Sequence, residues 1–190
     1  MALHLASTPE ANTLLAHDPL ALLIGMLLDQ QIPLEKAFTS PQVLRERLGH
    51  DLDVHDIAAY DPEQFEEIFK QTPALHRFPG AMAKRVQDLA RLLIERFDAD
   101  PASVWTSAAD GKDMVKRIAM LPGFGEQKAR IFAALLAKQF NVTPTGWREA
   151  TAPFGEQGSY VSVADIVDAE SLLAVRKYKQ EMKAAAKAKK

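Results

Sequence analysis

Apolar residues return every three or four positions over most of the chain, the spacing of helices that bury one face. Val86, Leu89, Ala90, Leu93 and Phe97 form one such stripe, and Ile131, Ala134, Leu135 and Phe140 form part of another. Leu20 to Leu28 is apolar nearly all round, which predicts a helix enclosed by other helices. No segment alternates apolar and polar residues as a half-buried strand does. Prolines punctuate the pattern. Asp18-Pro19, Ser40-Pro41, Asp61-Pro62 and Asp100-Pro101 each set a short oxygen-bearing side chain before a proline, and each pair predicts a helix start. Ile32-Pro33, Phe78-Pro79 and Leu121-Pro122 mark further breaks, and Ser162-Val163-Ala164-Asp165 has the form of a capping-type start. The pattern predicts an all-α protein of about ten helices, several only two turns long. Asn141 to Val161 is the least helical stretch, with three glycines, two prolines, Trp147, Phe154 and Tyr160. Long ordered loops of this kind often carry function.

Composition narrows the chemistry. The chain has 190 residues, 47% hydrophobic and 25% charged, which suits one large domain or two small packed lobes. Cysteine is absent, which removes disulfides, thiolate zinc sites, cysteine nucleophiles and iron–sulfur clusters. The five histidines include no H-x-x-x-H pair, so neither a metal site nor any other cofactor is expected. No apolar run reaches eighteen residues, and Met1 to Glu10 lacks the form of a secretory signal; a cytoplasmic protein without a membrane partner is expected. Charge is unevenly spread. Arg176 to Lys190 holds seven basic residues and one acid, a balance of +6, so the preceding residues carry −8 of the net −2. An acidic body binds polyanions only through a local basic face, backbone amides or this tail. The tail reads equally as a solvated helix end and as a phosphate-binding segment.

Leu121-Pro122-Gly123-Phe124-Gly125-Glu126-Gln127-Lys128-Ala129 lies between two helical runs. Two glycines around one apolar residue permit a tight turn with outward N–H groups, and at a helix start these suit one phosphate. By spacing alone the segment is also an ordinary link between helices. In full it resembles the hairpin of the helix-hairpin-helix base-excision glycosylases, such as endonuclease III and the adenine and alkyl-base glycosylases. Asp18 to Gln31 resembles the buried early helix of that family with its glutamine-containing turn, and Phe78 to Arg85 resembles its middle helix start. The matches fall in the family's order and cover roughly Asp18 to Phe140.

The resemblance implies a helix-hairpin-helix glycosylase-like fold in two packed lobes. Residues 1–140 are expected to form the family's helical domain. Residues 141–190 are expected to supply a loop and C-terminal helices packed on the same domain. The implied partner is double-stranded DNA, damaged or mismatched, with no obligate protein partner. Gly123, Gly125, Gln127 and Lys128 would bind a phosphate. Gln30 or Gln31 would fill the gap left by a base rotated out of the duplex, a step such enzymes need to reach the glycosidic bond. Trp147 and Arg148 would line the base pocket, or else seal the loop onto the helices.

Two family positions are altered. The lysine that forms a Schiff base is replaced by Gln127, and Lys128 points about 100° away on a helix. The family's aspartate spacing, carried forward without gaps, falls near Thr145, where no aspartate stands. Glu149 and Asp29 are the carboxylates offered for stabilising a cationic sugar or acting as a general acid. Two functions follow: a monofunctional DNA glycosylase of base excision repair, or a catalytically inactive protein of this fold that recognises distorted or abasic DNA.

Overall fold

The computed structural model describes residues 3–188. Among them are eleven α-helices, one 3-10 turn and no strand. No single helix among them is long and apolar enough to cross a membrane. The chain divides into two compact units. One comprises Met1–Ser107 and Met120–Phe124, the other Ala108–Ala119 and Gly125–Lys190. The second unit groups the segment after residue 140 with the helices on either side of the hairpin.

The first unit contains α1 (Pro9–His17), α2 (Pro19–Leu28), α3 (Leu34–Leu48), α4 (Val54–Ala59), α5 (Pro62–Lys70), α6 (Pro79–Phe97) and α7 (Ser103–Thr106). Every residue from Leu20 to Leu28 is buried, as its apolar circumference predicts, and α2 packs on α1, α3 and α6. Each fully buried leucine or isoleucine contributes about 1.5–3 kcal/mol of apolar burial. Asp18 caps α2, accepting from the N–H groups of Leu20 at 2.9 Å and Ala21 at 3.1 Å. Burial raises its carboxyl pKa above the ordinary value, against the lowering effect of those two N–H groups.

Asp61-Pro62 opens α5 as expected, with Asp61 accepting from Gln64 N–H at 2.9 Å. Ser40-Pro41 does not open a helix. Pro41 lies inside α3, which begins at Leu34 after the N-cap Pro33. The missing proline N–H removes one backbone bond. Burial of Ser40 and Pro41 offsets that loss, and the Ser40 hydroxyl reaches the carbonyls of Lys36 at 2.8 Å and Leu75 at 2.9 Å. Asp100-Pro101 makes a turn first, and α7 starts at Ser103.

The second unit contains α8 (Gly111–Ala119), α9 (Glu126–Phe140), α10 (Trp147–Thr151), the 3-10 turn Val163–Asp165 and α11 (Ala169–Ala188). The buried side of α9, including Phe132, Leu135 and Leu136, provides the centre on which α8, α10 and the 3-10 turn pack. Gly111 is required by close approach: a Cβ there would stand 2.5 Å from Trp147 Cα. The start of α8 thereby lies against α10, and Gly111 N–H donates to Thr145 O at 2.8 Å.

Candidate functional site

The hairpin turn is built from Leu121 to Phe124. Phe124 N–H donates to Leu121 O at 3.0 Å, Pro122 takes the second position and Gly123 the third with φ +81°. This is the type II arrangement, in which proline sets one dihedral and glycine tolerates the left-handed one. A Cβ on Gly123 would lie 3.4 Å from Leu27 Cγ and 3.7 Å from Arg85 Cδ, so the turn rests on α2 and α6. Gly125 is the N-cap of α9, at φ −81° and ψ 175°, and is exposed. Any residue adopts that conformation, and a Cβ there would meet no protein atom within 4 Å. The fold therefore does not require this glycine, and the space above it is open. The first turn of α9 precedes the first i to i−4 bond, from Ala129 N–H to Gly125 O at 2.9 Å, so it presents N–H groups at the positive end of the helix. Gln127 is exposed and Lys128 half-buried in that turn.

The glutamine loop stands beside the turn in the same unit. Gln30 is held at three points. Its side-chain amide donates to Leu27 O at 2.8 Å, its side-chain oxygen accepts from Arg85 at 3.1 Å, and its backbone carbonyl lies 2.8 Å from His76 Nε2. Phe78 N–H donates to His76 Nδ1 at 3.0 Å, which assigns the proton to Nε2 and makes it the donor to Gln30. Gln31 differs: it is exposed and left-handed at φ +57°. The two glutamines are thus distinct, one anchored and one projecting. Asp29 ends α2 half-buried, and its single backbone N–H donates to the carbonyls of Gly25 at 3.1 Å and Met26 at 3.3 Å.

The second unit holds a cavity of about 470 Å³, within the usual range for small-molecule sites. Its walls include Trp147, Arg148, Tyr160, Lys138 and Asp165. The Arg148 guanidinium lies 4.5 Å from the centre of the Trp147 ring. Asp165 supplies the one carboxylate among the described lining residues. It is 8% exposed and accepts from four donors. Lys138 Nζ and Ser159 Oγ approach Oδ1 at 2.5 and 3.1 Å, while the N–H groups of Val161 and Ser162 reach Oδ2 at 2.9 and 3.1 Å. The bond from Ser162 closes the capping box foreseen in the sequence. Lys138 also donates to Glu156 O at 2.7 Å and Ser159 Oγ at 3.2 Å, which fills its three N–H bonds. Glu149 is exposed on α10 and does not line the cavity.

The structure therefore brings Trp147 and Arg148 to one cavity wall, and Gln30 to the hairpin turn through Arg85. Asp29 belongs to the first unit and Glu149 to the second. Sequence reasoning missed Asp165 as a cavity residue, and also the parts played by His76 and Arg85. The capping box marked Asp165 only as a helix-start acid. The ungapped spacing stops at Thr145, before α10 and the loop after it.

A type II turn ending in an open glycine at a helix N-terminus, between two packed helices, defines a helix-hairpin-helix protein. The family model of the HhH-GPD superfamily base excision DNA repair proteins matches residues 24–190, and the chain belongs to that superfamily. No curated protein and no solved structure matches it. Membership makes base excision DNA repair its sphere of action and DNA its partner.

Proposed function

We propose that the protein is a monofunctional DNA glycosylase that hydrolyses the glycosidic bond of a damaged or mispaired base rotated out of the duplex. The observation that carries this reading is the cavity walled by Trp147, Tyr160 and Arg148 with the Asp165 carboxylate in its lining. Aromatic faces stack on a base, a guanidinium can polarise a base carbonyl, and a carboxylate stabilises the cationic sugar of the transition state. The four donors on Asp165 occupy its hydrogen-bonding sites, so its contribution is charge rather than proton abstraction from water. In this reading the hairpin, through Gly123, Gly125, Gln127 and Lys128, holds a backbone phosphate. Gln31, exposed and left-handed, enters the gap left by the base, and Gln30 braces it. Glu149 and Asp29 remain as alternative acids.

One observation favours a second reading, a non-catalytic protein that recognises distorted DNA. The ion pair with Lys138 and the capping box give Asp165 a complete structural role without any reaction. Base release on duplexes carrying uracil, alkylated, oxidised, deaminated or mismatched bases separates the two readings. The expected result is release from at least one substrate, lost in Asp165→Asn while duplex binding is retained. Loss in Glu149→Gln or Asp29→Asn instead would move the reaction to that acid. Binding to abasic duplex with no release across the panel would establish the second reading.

A further inference from the structure

We propose that the outer part of α11 is a binding surface for the phosphate backbone of duplex DNA, independent of any damaged base. The helix begins docked: Ser171 and Val175 are buried, and Asp168 accepts from Ser171 N–H at 2.8 Å. From Arg176 to Ala188 every residue is exposed, so the helix leaves the packed part of its unit there. Four of its five described basic residues then fall into register, Lys177 lying about 120° from their centre. Arg176, Lys179, Lys183 and Lys187 are spaced by three, four and four, which confines them to an arc of about 80° on an α-helix. Glu181, the one acid of this part, lies roughly opposite that stripe. Ala184, Ala185, Ala186 and Ala188 occupy four of the eight remaining positions and favour the helical state.

Charge complementarity selects the occupant. Lys179, Lys183 and Lys187 take part in no salt bridge among the described residues. The residues before the tail carry −8, a net field that repels a polyanion. A cationic element offsets that repulsion in a DNA-repair protein, and the tail, at +6, is a segment of suitable size. The stripe runs about 16 Å along the helix axis, a length over which duplex DNA presents roughly ten charges. Lysines bind such an array as point charges without reading sequence. The predicted role is to hold intact duplex weakly and so keep the protein on DNA while lesions are sought.

The test is the affinity of the full chain for an undamaged fluorescent duplex between about 50 and 200 mM salt. Because no damaged base is present, its outcome does not depend on the glycosylase reading. In the variant K179Q/K183Q/K187Q, the slope of log affinity against log salt should become shallower by about 2.7, the equivalent of three lost phosphate contacts. The variant K179R/K183R/K187R should keep the parental slope, and circular dichroism should show equal helix content in all three proteins. An unchanged slope in the glutamine variant would overturn the proposal. So would equal losses in both variants. Tighter binding by the glutamine variant would overturn it too, and would place the tail on the chain's own acidic surface instead.

Discussion

Gly123 and Gly125 differ in what the protein asks of them. Gly123 is left-handed at φ +81° with Leu27 Cγ 3.4 Å from a notional Cβ, so the fold itself requires it. An alanine there costs about 1–2 kcal/mol for the dihedral alone. Gly125 has an ordinary conformation and empty space above it. The fold does not account for its glycine, and in the proposed reading a phosphate oxygen approaches the first-turn N–H groups there. The expected outcome is a contrast. Gly123→Ala lowers the urea unfolding midpoint and weakens duplex binding, whereas Gly125→Ala keeps stability within about 0.5 kcal/mol and weakens binding alone. If Gly125→Ala binds duplex as the parent does, the open space is not where the backbone sits.

At the scale of elements, the features legible in the sequence are those that depend on near neighbours. Asp18 and Asp61 cap their helices through atoms two or three residues away, and Ser162 with Asp165 closes a box within four residues. The all-round apolar face of α2 announced its burial for the same reason. What escaped depends on distant partners. Pro41 is tolerated inside α3 because Ser40 reaches Leu75, thirty-five residues on. Asp165 joins the cavity because Lys138 at the end of α9 reaches it across twenty-seven residues. That lysine fastens the loop before Asp165 at Glu156, Ser159 and Asp165 together. Replacing it by methionine leaves a nearly buried carboxylate without its countercharge, a loss of about 3 kcal/mol. Urea unfolding of Lys138→Met checks this directly, and a change under about 0.5 kcal/mol would show that the loop holds without the strap.

Over the whole molecule, helix content and family followed from the order of motifs. The first unit takes back the turn residues Met120–Phe124 after the chain has already entered the second, an arrangement no linear change of composition marks. The reaction class also depends on where the lysines of α9 stand. A Schiff-base lyase needs an uncharged amine that reaches the sugar. By the hairpin's resemblance to the family, Gln127 would fall at its lysine position, and Lys128 points about 100° away from it. Lys138, the amine lining the cavity, donates to Glu156 O, Ser159 Oγ and the Asp165 carboxylate. In the proposed monofunctional reading neither lysine acts as a nucleophile. On any duplex from which a base is released, the abasic strand should therefore stay intact until alkali is added. Borohydride present during the reaction should trap no covalent protein–DNA adduct. An adduct mapped by peptide analysis to Lys138 would mean that DNA binding draws this lysine away from Asp165, and the site would then be bifunctional. An adduct at Lys128 would instead mean that the hairpin register is shifted by one residue.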